Sequence, residues 1–140
     1  STALAYGPEW DLRFWRIGEH GDLIGRRVAS MRGRDGPSVE LTLEGAEQFD
    51  DVDLSAHEVP AYLHGLVLDS PVPVDLAVAV DGVVAATYEA HALTLDGTSR
   101  PYYLMVPTSL LRDGRNELTL HVIDGDGDDR RLTPATVVDR

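Results

Sequence analysis

Apolar residues recur at every second position through most of this chain. SVELTLE (38–44) places Val39, Leu41 and Leu43 on one face and Glu40, Thr42 and Glu44 on the other, the pattern of a half-buried strand. VDLAVAV (74–80) alternates Val74, Leu76, Val78 and Val80 with Asp75, Ala77 and Ala79. Its second face is small rather than charged, which predicts a central strand covered on both sides. Asp81-Gly82 and then VVAATYEA (83–90) follow, so 74–90 reads as a hairpin closed by a type I′ turn. YLHGLVLD (62–69) is a further strand, with Gly65 marking a bulge or a close neighbour. PYYLMVP (101–107) is a short strand bounded by two prolines, which suits strand ends and edges. TSLLRDGRNE (108–117) holds one helical turn at most, and ELTLHVID (117–124) alternates again with Leu118, Leu120 and Val122 inward.

Turn signals at roughly ten-residue spacing over about seven strands predict an all-β fold. The expected architecture is an antiparallel β-sandwich, jelly-roll or galactose-binding-like, of about 7–9 short strands over residues 38–140. Residues 1–37 form a lead-in of another character. DLRFWRIG (11–18) reads as an edge strand, HGDLIGRRVASM (20–31) has no helical stripe, and MRGRDGPS (31–38) is loop chemistry. The lead-in is expected to lie against the sandwich. No long amphipathic helix and no internal repeat is visible.

Length and charge narrow the partners. At 140 residues the chain fits one domain with a sizeable core, and its 43% hydrophobic content is that of a globular protein. Twenty-four acidic residues against 12 basic ones leave a net charge of −12. Such a surface repels nucleic-acid phosphates and anionic lipid headgroups, while a cation or a neutral sugar is compatible with it. Cysteine is absent, which removes thiol catalysis, disulfides and thiolate metal sites. No stretch approaches the roughly 20 apolar residues of a membrane-spanning helix. STALAYGPEW lacks the regions of a signal peptide, so export is expected to depend on sequence outside this chain.

HVIDGDGDDRRLT (121–133) is the first place to look for chemistry. Asp124, Asp126 and Asp128 have the D-x-D-x-D spacing that opens a calcium loop. The glycine and the bidentate glutamate due later in such a loop are replaced by Asp129 and Ala135. The better reading is a hairpin turn, with Arg130 and Arg131 neutralising part of the carboxylate charge; a weak Ca²⁺ site is the alternative. His20, His57, His64, His91 and His121 show no zinc-ligand spacing and suit surface or satisfied core positions. No nucleophile elbow or phosphate loop is present, so no catalytic residue is assigned. Sugar-binding sandwiches stack aromatic faces on pyranose rings, and Trp10, Trp15, Tyr102 and Tyr103 are the candidates for such a platform. Burial is the commoner fate of these residue types. Arg13, Phe14 and Arg16, beside Trp15, form the candidate docking surface for a protein partner.

Two segments together resemble a known family. DLRFWRIGEHGDLIGRRV (11–28) looks like the lead-in that follows the catalytic domain in actinobacterial membrane-bound sulfatase-like proteins, relatives of alkaline phosphatase and phosphoglycerol transferases. VPAYLHGLVLDSPVPVDLAVAVDGVVAATYEA (59–90) and PYYLMVPTSLLRDGRNELTLHVID (101–124) are similar to the C-terminal β-domain of those proteins. The resemblance covers most of the chain. It implies an extracytoplasmic domain, tethered to the membrane through the rest of its parent, whose partner is the catalytic domain of the same polypeptide. The metal and nucleophile of that catalytic domain lie outside these residues. The expected function is therefore a non-catalytic accessory domain, supporting catalysis or contacting cell-envelope glycopolymer. A carbohydrate-binding module is the alternative, and a stand-alone enzyme ranks last. Galactose-binding-like modules often carry Asn where Asp81 stands, so the turn at Asp81 is not expected to recognise sugar.

Overall fold

The computed structural model describes residues 20–33, 39–56, 62–68, 74–90, 99–125 and 127–138. Among them the chain is all-β, with eight strands in two four-stranded sheets and helical turns of three or four residues only. The strands are β1 (Glu40–Leu41), β2 (Tyr62–Leu68), β3 (Leu76–Val80), β4 (Val83–Tyr88), β5 (Arg100–Met105), β6 (Leu118–Asp124), β7 (Arg131–Pro134) and β8 (Thr136–Val137). One sheet has the order β4-β3-β6-β7 and the other β5-β2-β1-β8. All pairings are antiparallel except β1 with β8.

The alternation seen along the sequence separates the faces. Leu76, Val78, Val80, Leu120 and Val122 from the first sheet meet Leu41, Leu63, Val67, Tyr102 and Leu104 from the second in the main core. The 74–90 hairpin is present, and its turn has positive φ at both Asp81 (50°) and Gly82 (83°), as a type I′ turn requires. The register shift between Val78 and Ala79 leaves Ala85 as an extra residue on β4. Pro101 is tolerated within β5 because β5 is a sheet edge.

Every residue of β3 is buried, so its small face is covered as well. The cover is supplied by residues 20–33. Leu23, Ile24, Val28 and Met31 pack on Ala77, Ala79, Val84, Ile123 and Leu132 to form a second core. Alanine at 77 and 79 keeps that face low enough for a backbone to lie close. The segment also pairs with both edges of the sheet it covers. Gly25 N donates to Val84 O, Val84 N to Arg26 O, and Val28 N to Gly82 O along β4. Leu132 N then donates to Met31 O, and Gly33 N to Leu132 O, along β7. This strap satisfies backbone groups that would otherwise offer two open edges to other chains. The edge strand expected at 11–18 lies outside the described residues.

The strand expected over 38–44 is regular only at Glu40–Leu41. Beyond Leu41 the chain stays beside β2, with Thr42 N donating to Leu66 O and Glu44 and His64 exchanging backbone bonds. Its carbonyl at Thr42 turns inward, where the Tyr102 hydroxyl donates to it at 2.6 Å. Gly65 makes room for this. A Cβ at that position would sit 2.0 Å from Thr42 O and 2.9 Å from the Tyr102 hydroxyl. Gly65→Ala therefore forces backbone apart in the centre of the second sheet. The expected loss is about 3 kcal/mol, the upper end for overpacking, read as a lowered urea midpoint. An unchanged midpoint would contradict the close approach.

Candidate functional site

The two sheets differ in what covers them. The strap closes the outer face of β4-β3-β6-β7, whereas the outer face of β5-β2-β1-β8 carries exposed side chains. On β2, Tyr62 and His64 point outward while Leu63 and Val67 point into the core; on β5, Tyr103 and Met105 point outward while Tyr102 and Leu104 point in. The register sets Tyr62 opposite Met105 and His64 opposite Tyr103. Tyr62 is 47% exposed, Tyr103 55% and Met105 46%. Large apolar groups this open, gathered on one sheet face, are uncommon on a surface that contacts only water.

The rings form an ordered strip. Tyr62 stacks on His64 with centroids 5.4 Å apart, and on Tyr103 at 6.4 Å with 28° between planes. Tyr88, at the edge of the other sheet, meets Tyr103 edge-on at 5.5 Å and donates its hydroxyl to Pro101 O. These separations are those of favourable aromatic pairs. Burial pushes the Tyr88 phenol above its ordinary value, with Tyr103 and Asp75 adding to the shift, so its hydroxyl stays a donor. The Glu44 carboxylate lies 3.4 Å from His64 Nδ1 and gives the strip an acceptor for hydroxyl groups. An amphipathic platform with one carboxylate and several phenols is suited to stacking and hydrogen bonding.

Of the platform candidates chosen from sequence, Tyr103 stands on this strip and Tyr102 does not. Tyr102 is a correction: it is 1% exposed, and burial drives its phenol far above the ordinary tyrosine range. Adjacent strand residues face opposite sides, so one of the two had to point inward. Trp10, Trp15, Arg13, Phe14 and Arg16 lie outside the described residues. Tyr62 and His64 complete the strip. Their shared outward face was legible from period-two spacing, but their meeting with Tyr103 depends on the β2–β5 register.

The aspartate-rich segment is the β6–β7 hairpin, with Asp124 opposite Arg131. Gly125 is needed at its tip: φ is 90°, and a Cβ there would stand 2.7 Å from Asp129 O. Asp124 and Asp128 are exposed, and Asp126 lies outside the described residues. Among the described residues, no three His, Asp or Glu side chains are placed to share a metal ion.

Arg130 reaches from the hairpin to the lead-in segment as well as to its own hairpin backbone. It is buried and donates to Asp22 Oδ2, to His20 Nδ1 at 3.1 Å and to Gly127 O at 2.7 Å. The Arg130 bond holds the Asp22 carboxyl below its ordinary value of 3.8. His20 Nε2 bonds Asp75 Oδ2 at 2.7 Å, and Asp75 Oδ1 accepts from Ala90 N. An Asp–His pair resembles part of a hydrolytic triad, but a guanidinium has only donors, so it claims His20 Nδ1 as acceptor and leaves the ring proton on Nε2. The cluster ties the strap to β3 and to the hairpin tip. Asp81 is similarly engaged: it accepts from Glu117 N at 3.0 Å and pairs with Arg112 at 3.3 Å.

His121 is buried on the strap side of β6. Its Nε2 bonds Thr119 Oγ1 at 2.9 Å, and its Nδ1 is buried with no hydrogen-bond partner. Burial, helped by the Arg32 charge, lowers its pKa from the ordinary 6.5. The unfolded chain then takes up this proton first, so the contribution is intact above pH 6.5 and is lost as pH falls from 6.5 towards the depressed folded value. In that window the slope approaches about 1.4 kcal/mol per pH unit. Thermal midpoints measured from about pH 7.5 down to about pH 5, either side of histidine's ordinary value, should fall less steeply for His121→Leu than for the native chain. Equal slopes would remove His121 as the cause. Comparison with protein families, with curated proteins and with solved structures finds no match to this chain.

Proposed function

We propose that this chain is a non-catalytic accessory β-sandwich of a sulfatase-like membrane protein, acting outside the cytoplasm, and that its open sheet face contacts cell-envelope glycopolymer. The observation that carries this reading is the exposed strip of Tyr62, His64, Tyr103 and Met105 on a face that no other described residues cover. Pyranose rings present apolar C–H faces that lie flat on tyrosine, and their hydroxyls pair with phenol and carboxylate oxygens. A neutral polysaccharide also escapes the repulsion that a net charge of −12 imposes on polyanions. The accessory assignment draws support from the commitment of the Asp75–His20 pair to Arg130, which spends it on holding the strap. A carbohydrate-binding module acting alone would use the same face.

Titration of the folded chain with isolated neutral envelope polysaccharide, followed by calorimetry, tests this. Tyr62→Ala and Tyr103→Ala should each weaken binding roughly tenfold, the loss for an aromatic anchor contributing about 1.4 kcal/mol. Tyr102→Phe removes a buried hydroxyl behind the face and should leave affinity unchanged while lowering stability by about 1–3 kcal/mol. Native chain that ignores the polysaccharide, or open-face variants that bind as well as it does, would end the glycan assignment.

A further inference from the structure

On the opposite side of the sandwich, the strap and the β6–β7 hairpin enclose a cleft of about 400 Å³ lined by Arg26, Arg27, Ser30 and Met31 from one side and Gly127, Asp128, Arg130 and Arg131 from the other. We propose that this cleft binds the phosphate group of a small phosphorylated molecule. Two Arg–Arg pairs from distant parts of the sequence converge here, in a chain with twice as many acidic as basic residues. Arg130 is held as a strut by Asp22, His20 and Gly127 O. Arg131 donates one hydrogen bond, to Arg130 O at 2.8 Å. Among the described residues, Arg26, Arg27 and Arg131 form no ion pair. Among the described residues of the lining, Asp128 is the one acidic group beside four arginines.

Asp22 engages Arg130, but four guanidiniums around one cleft still outnumber the described carboxylates beside them, and an oxyanion relieves their mutual repulsion. Arginine forks match phosphate oxygens through paired hydrogen bonds, and three guanidiniums exceed what one carboxylate can accept. The cleft exceeds a bare phosphate and falls among volumes that hold small organic ligands. Its walls are set before binding: Arg26 and Arg27 sit where the strap backbone pairs with β4, and Arg131 lies in β7. The backbone is thus in place before binding, and the exposed Arg26 and Arg27 side chains order when the phosphate arrives.

Glucose 6-phosphate, inorganic phosphate and unphosphorylated glucose serve as probes, each titrated into the full chain at low ionic strength and followed by ³¹P or protein NMR. Both phosphates should bind saturably, with glucose 6-phosphate tighter, and glucose should not compete. Arg27→Gln should weaken binding at least about tenfold, Arg26→Gln/Arg27→Gln should abolish it, and Arg112→Gln at the distant Asp81 turn should leave it unchanged. Added salt should weaken it through screening. The substituted side chains are exposed and their strand pairing uses backbone, so a native-like spectrum of each variant checks the fold. No saturation by either phosphate up to about 10 mM, or equal binding by the double variant, overturns the proposal.

Discussion

Leu76 to Val80 are buried on both faces of their sheet, and a strand in that position needs two covers. The second sheet supplies one. The other has to come from outside the sandwich, and the strap at residues 20–33 provides it with four apolar side chains and backbone bonds to both sheet edges. The buried polar cluster follows from the same need. A loop laid over a sheet carries polar groups inward, and the buried His20 and Arg130 bond each other, the half-buried Asp75 and the exposed Asp22.

The asymmetry of this arrangement decides where surface chemistry is possible. Among the described residues the second sheet is covered once, so the outward residues of β2 and β5 are exposed, and they are aromatic rather than uniformly polar. The first sheet is closed by the strap, and the junction of strap and hairpin creates a cleft that neither element has alone. A chain with a strongly acidic surface thus presents one aromatic, weakly charged face and, opposite it, one locally cationic cleft.

Much of the fold was legible in the chain. The alternation at 74–80 with its alanine face, the Asp81-Gly82 turn, the single turn at 108–110 and the aspartate-rich hairpin all match the structure. Each is encoded within a few residues, by pleat period or by backbone conformations that glycine permits. The candidate site was half legible. Tyr103 was within reach of inspection, while its pairing with Tyr62 and His64 needed the register of β2 against β5.

By itself, the sequence determined the strand-rich class, the turn positions and which face of each strand is apolar, because these depend on near neighbours. Tertiary structure decided that Tyr102 and Tyr103 part company, that Arg130 reaches Asp22 and His20 of the lead-in, and that two Arg–Arg pairs share a cleft. Those outcomes depend on edge pairing and layer packing between distant segments, and no local periodicity carries that information.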